Sequence, residues 1–149
     1  MNGYPDTLRP GDHLRLAEDF YQAFRDLPRH YPPQSWPRYF MLCHAVELAL
    51  KAYLFYRGKT PMELKAPKLR HSLKELLTEA TNSGLSLSTS VQNDIALMDE
   101  AHEEFWHRYP KEDGKPVCTI EQFESPAREL LDAVSAAVFS AGSSSSVHP

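Results

Sequence analysis

One stretch decides the fold: Phe40-Met-Leu-Cys-His-Ala-Val-Glu-Leu-Ala-Leu-Lys-Ala-Tyr-Leu54. Its only polar residues are His44, Glu47 and Lys51. The spacing predicts a long helix from about Trp36 to Arg57, with Ser35 as the N-cap and Pro37 in the first turn. Gly58 stands where a left-handed C-terminal residue is wanted. Tyr39, Phe40, Leu42, Val46, Leu48, Leu50, Tyr53, Leu54 and Phe55 cover most of the helical wheel. A helix apolar nearly all round is central, covered by other helices or by a second subunit. Its three polar residues fall within one stripe about 60° wide, since a helix turns about 100° per residue. Glu47 and Lys51 are in the favourable i,i+4 order for an ion pair. Polar groups on such a helix need partners. Two readings stay open: a hydrogen-bond network that fixes helix register, and a ligand site.

Working outward, Asp12 can cap a helix to about Leu27 with Leu14, Ala17, Phe20, Tyr21, Phe24 and Leu27 at helical spacing. Pro28, Pro32 and Pro33 end it. Thr60-Pro61-Met62-Glu63 reads as a capping box opening a short helix. The next helix starts near Lys68 or His71, carries Leu69, Leu73, Leu76, Leu77 and Ala80, and closes at Asn82-Ser83-Gly84. Thr89 and Gln92 open another, with Val91, Ile95, Met98, Phe105 and Trp106 inward, ended by Pro110. Residues 108–124 read as a loop, and Ser125-Pro126 as the start of the last helix. No segment alternates with period two. The expectation is an all-α, up-and-down bundle of four to five helices over residues 12–140. An irregular arm (1–11) precedes it and a disordered Ser-rich tail (141–149) follows.

At 149 residues the chain is one domain with room for a real core. A net charge of −4 excludes a strongly basic nucleic-acid coat, though not a local basic patch. No apolar run approaches the roughly 18 residues a membrane span needs. The first residues lack a basic start followed by an apolar core, which excludes a secretory signal. A cytoplasmic protein with reduced thiols is expected. Its two cysteines, Cys43 and Cys118, could form one bridge but no disulfide framework.

Candidate chemistry is sparse. His71 opens Leu69-Arg-His-Ser-Leu-Lys-Glu-Leu-Leu77, where it reads as a cap or turn partner unless the connection carries it back to the polar stripe. Lys59, Lys65, Lys68, Arg70 and Lys74 make a local basic cluster; Lys65, Lys68 and Arg70 are its phosphate-binding candidates. Asp99, Glu100, Glu103 and Glu104 form an acidic run that could face that cluster on a partner subunit. A carboxylate-bridged di-iron bundle uses two Glu-x-x-His motifs. The chain has one, Glu104 to His107, and a reversed one, His44 to Glu47. There is no zinc spacing around the cysteines, no Gly-rich phosphate loop and no nucleophile elbow. No metal or cofactor is expected.

His-Ala-Val-Glu-Leu-Ala-Leu-Lys-Ala-Tyr-Leu (44–54), a short linker and His-Ser-Leu-Lys-Glu-Leu-Leu-Thr-Glu-Ala (71–80) together resemble the HEPN superfamily. Arg-Tyr-Pro (108–110) after an amphipathic helix is similar to the same group. The resemblance covers about residues 12–140. It implies a helical bundle, usually dimeric, that associates with nucleotides or RNA. Many members are metal-independent ribonucleases in toxin–antitoxin or phage-defence systems; others are binding modules without catalysis. The nuclease signature, Arg, four to six residues, then His, occurs at Arg25–His30 and Arg38–His44. About 1.3 such matches are expected by chance from nine arginines and seven histidines. Arg38 and His44 are the better candidate catalytic pair, yet an ideal helix sets them about 120° apart. His44, Glu47, Lys51, His71 and Arg108 are the candidate ligand-binding residues.

The expected function is a non-catalytic HEPN-like module in a prokaryotic stress or defence setting. It forms a homodimer, with Tyr39, Tyr53 and Tyr56 suited to the interface, and binds a nucleotide, RNA or an antitoxin-like protein. The alternative is an active ribonuclease, and the di-iron bundle is a distant third.

Overall fold

A computed structural model describes residues 9–28, 36–107 and 120–145, with backbone alone at 36, 101–107 and 141–145. Six helices follow in order: α1 (Pro10–Asp26), α2 (Trp36–Tyr56), α3 (Pro61–Leu64), α4 (Leu73–Asn82), α5 (Thr89–His107) and α6 (Glu121–Ser145). There is no strand among the described residues. The described residues make an all-α chain, five longer helices and the single turn of α3.

α2 is the hub, and it is covered by its own chain. It packs against α1, α6, α4 and α3, while α5 lies on α4 and α6. Leu42, Ala45, Val46, Ala49, Leu50, Ala52 and Leu54 are fully buried. Contacts fix the direction of α1. Phe24 meets Arg38, Phe20 meets His44, and His13 meets Phe55, so α1 runs antiparallel to α2. α6 returns along α1, where the Arg128 guanidinium grips both Glu18 oxygens at 2.9 and 2.6 Å, bonds Asp132 and stacks on Tyr21.

The tyrosines expected at a subunit interface belong in part to this core. Tyr39 and Tyr53 are 5% and 4% exposed. Their hydroxyls donate to the Met98 carbonyl (2.5 Å) and the Ser83 carbonyl (3.2 Å). Only Tyr56 is half-buried. The reason is packing: α1, α4 and α6 supply enough apolar surface to cover α2 within one chain.

Helix boundaries follow local chemistry, with shifts at α1, α4, α5 and α6; at α5 the cap is Ser88 and not Thr89, its hydroxyl accepting from the Val91 N–H at 3.2 Å. α1 starts at Pro10, and Asp12 is not its cap; the Asp12 carboxylate accepts from the Arg9 backbone N–H at 2.9 Å. α4 starts at Leu73 with Ser72 as N-cap, its hydroxyl accepting from the Glu75 N–H at 3.2 Å, so His71 lies just outside the helix. α6 begins at Glu121, with Pro126 inside it. Burial extends it backward: Ile120 and Phe123 are 4% and 1% exposed, and Glu121 bonds Arg38. Burying Phe123 contributes roughly 2–3 kcal/mol, enough to offset much of the proline's cost. At the other end α6 runs to Ser145, into the stretch read as a tail, whose residues 146–149 lie outside the described ones.

Candidate functional site

The polar stripe of α2 becomes a cluster because the α3–α4 connection folds back onto it. Leu69 is the apolar anchor of that connection, 5% exposed in the core. Just after it, the Arg70 carbonyl accepts a hydrogen bond from the Lys51 ammonium at 2.9 Å. This brings His71 to Glu47, with Nδ1 3.2 Å from Oε1. On the other carboxylate oxygen, Lys51 Nζ lies at 3.5 Å and His44 Nδ1 at 3.6 Å. One carboxylate thus serves an ammonium and two imidazoles.

Burial grades the group from inside to outside. The Glu47 and Lys51 side chains are 8% and 11% exposed, those of His44 and His71 46% and 63%. His44 also packs edge-on to Phe20, ring centroids 4.4 Å apart at 90°. That burial holds its pKa below the ordinary histidine value; Glu47 opposes the shift, while Lys51 and His71 add to it.

Around this cluster the basic candidates separate. Lys65, Lys68, Arg70 and Lys74 are exposed. Lys68 makes a loose contact of 3.8 Å with Glu75. Lys59 is occupied by Glu63 and Glu79. A cavity of about 20 Å³, room for a single water, lies beside Lys51 and is lined also by His13, Phe55, Pro61, Leu64 and Lys65.

Arg38 is not part of the cluster. Its side chain is buried, its guanidinium stacks on the Phe24 ring at 4.6 Å, and Nη1 bonds Glu121 Oε1 at 2.8 Å. Nε and Nη2 have no partner among the described residues. The structure therefore does not bring Arg38 and His44 together as a pair. The 120° between them on α2 sends Arg38 into the contact with α1 and α6 and leaves His44 at the surface. Arg108 lies outside the described residues, as does Cys118.

The acidic run is also divided. Asp99 is 4% exposed and accepts from the Leu73 backbone N–H at 2.8 Å, capping α4 from α5. It is a structural cap and not a surface charge awaiting a partner. Cys43 is 2% exposed, and burial pushes its thiol up to about 12, so it is no nucleophile. Among the described residues no group of three or more His, Cys, Asp and Glu is arranged to hold a metal; the side chains of Glu104 and His107 are not among them.

Sequence reasoning missed His13. It is 6% exposed and stacks loosely on Phe55, and burial followed by the charge of Lys51 lowers its pKa. A signal existed: His13, Ala17, Tyr21 and Phe24 keep helical spacing on the inward face of α1. For Asp99 there was none, because its partner lies in another helix. Comparison of the chain with protein-family models, with curated proteins and with solved structures finds no match.

Proposed function

We propose that the chain is a HEPN-like, non-catalytic helical module that binds RNA through the face carrying His44, Glu47, His71 and the basic connection from Lys65 to Lys74. The observation that carries this reading is the convergence of two exposed imidazoles on one buried carboxylate beside four exposed cations. Phosphate contacts by lysine and arginine supply sequence-independent affinity. Burial of Arg38 supports the non-catalytic half of the reading. Phosphoryl-transfer chemistry on RNA needs a cation at the reacting phosphate, and Arg38 is committed to Phe24 and Glu121. The binding test is anisotropy of a labelled RNA over a salt series. Each of Lys65→Ala, Lys68→Ala and Arg70→Ala is expected to weaken binding and to lower the salt slope by about 1. Salt-independent binding, or none, sinks the reading.

The ribonuclease alternative keeps one specific point in its favour: two imidazoles on one carboxylate are groups that general acid–base catalysis uses. Incubation with total RNA in EDTA decides it. Cleavage that disappears in both Arg38→Ala and His44→Ala puts the ribonuclease first. The nucleotide and antitoxin-like partners are proposals of the same resemblance, as are the cytoplasmic location and the stress or defence setting.

The homodimer is likewise a proposal, resting on the HEPN resemblance, since α2 is covered within one chain. Light scattering is expected to give twice the 17.0 kDa chain mass. A mass near 17 kDa at tens of micromolar protein removes the dimer from the reading.

A further inference from the structure

Glu47 makes its contacts with the same nitrogen of both histidines. Nδ1 of His44 faces Oε2 and Nδ1 of His71 faces Oε1. At 3.2 Å the His71 contact is a hydrogen bond, and an Nδ1–H donated there leaves Nε2 an acceptor in the neutral ring; His44, at 3.6 Å, has an ion-pair contact through the same nitrogen. Neither Nε2 has a partner among the described residues. An acceptor repels a phosphate oxygen. Protonation turns each Nε2 into a donor while leaving the Nδ1–Glu47 contact in place.

The charge count points the same way. With neutral rings, Lys51 and Glu47 cancel and the cluster carries no net charge. With both rings protonated it carries two positive charges. The other charged groups on the surrounding elements include Asp12, Arg15, Glu18 and Asp19 on α1 with His13 beside Lys51, Lys65, Lys68 and Arg70 on the connection, Lys74, Glu75 and Glu79 on α4, and Asp99 on α5. Glu75 contacts Lys68 and Asp99 accepts from the α4 backbone, while Arg70 and Lys74 are exposed and add to the positive field.

We propose that His44 and His71 form a two-pronged, proton-gated site for phosphate-type oxyanions, with Glu47 as the positioning residue between the two rings, bonded to His71 and facing His44. The RNA-binding reading supplies the phosphodiester as ligand; the gating chemistry stands on the geometry alone. A bound oxyanion opposes the burial that disfavours the His44 imidazolium, so proton and anion bind together.

Two measurements test this. Anisotropy of labelled hexauridylate is followed at constant ionic strength from about pH 8 to about pH 6, where its diesters keep their charge. Affinity is expected to rise about tenfold on acidification. His44→Gln and His71→Gln are each expected to reduce that rise, and the double variant to remove it. Lys68→Ala is expected to weaken binding by a similar factor at every pH. In parallel, sulfate is titrated at about pH 6 while the ring nitrogens are followed by NMR. The Nε2 resonances of His44 and His71 are expected to move together. An acid rise that survives in the double variant, or Nε2 resonances that stay fixed in sulfate, overturns the proposal. Hexauridylate affinity that is salt-sensitive but pH-independent overturns it too, and leaves the RNA-binding reading intact. Nε2 shifts in sulfate without hexauridylate binding do the reverse: the anion site stands and RNA is the wrong ligand.

Discussion

Removing the carboxylate of Glu47 leaves Lys51 with the Arg70 carbonyl as its one hydrogen-bond partner among the described residues, inside a pocket where its side chain is 11% exposed. An uncompensated buried ammonium is expensive, so Glu47→Ala is expected to cost about 3 kcal/mol. For a chain of this length that lowers the melting temperature by about 10 °C, and Glu47→Gln, which keeps an acceptor, by less. Calorimetry showing a shift under about 2 °C for Glu47→Ala contradicts the buried-cluster description. Arg38 behaves differently. Two of its guanidinium nitrogens lack partners among the described residues, and its one acceptor there is half exposed. Arg38→Met keeps the contact with Phe24 and removes the unpaired groups, so it is expected to change stability by less than about 1 kcal/mol in either direction. A loss several times larger in urea denaturation refutes this. The two residues also show what a sequence discloses at this scale. Glu47 and Lys51 were legible as a pair because i,i+4 geometry is local. His71 as third partner depended on how the connection folded. Arg38 was illegible because its ion-pair partner is 83 residues away.

Helix ends were legible wherever the stop signal is backbone chemistry. Gly58 and Gly84 have φ of +106° and +111°. Each closes its helix with the same double bond pattern. Gly58 N–H reaches the Phe55 carbonyl and Lys59 N–H the Leu54 carbonyl; Gly84 and Leu85 repeat this with Thr81 and Ala80. Both positions disfavour a side chain, and their surroundings separate them. A Cβ at Gly58 meets nothing, whereas one at Gly84 comes 3.3 Å from the Tyr53 hydroxyl oxygen, which is bonded to Ser83. Gly58→Ala is expected to cost about 1 kcal/mol and Gly84→Ala about 2. Equal urea midpoints for the two variants exclude the Tyr53 contact as a factor. The start of α6 shows the opposite case. Ser125-Pro126 carries a strong local start signal. Tertiary burial of Ile120 and Phe123, together with the Arg38–Glu121 bond, overrides it. A weaker local signal was also present, since Ile120, Phe123, Ala127, Leu130 and Leu131 keep helical spacing through Pro126.

At the scale of the whole molecule, two histidines tie stability to pH in one direction. His13 and His44 are both held below the ordinary histidine value, in each case chiefly by burial. A depressed histidine pKa means that the unfolded chain binds more protons than the folded one as pH falls through about 6.5. The folded state therefore loses stability on acidification through that window and regains it above. The urea midpoint is expected to fall between about pH 7.5 and about pH 5.5, before most carboxylates titrate. Each histidine contributes separately. His13→Leu removes the buried imidazole beside Lys51, and His44→Gln removes the one against Phe20, so both variants are expected to flatten the dependence. A midpoint that is level or rising toward acid in the wild-type chain overturns this account. Sulfate then separates the two sites. If His44 takes an oxyanion when protonated, sulfate restores midpoint at the acid end in the wild type and in His13→Leu. It restores much less in His44→Gln, because linkage requires the anion to act through the ring it contacts.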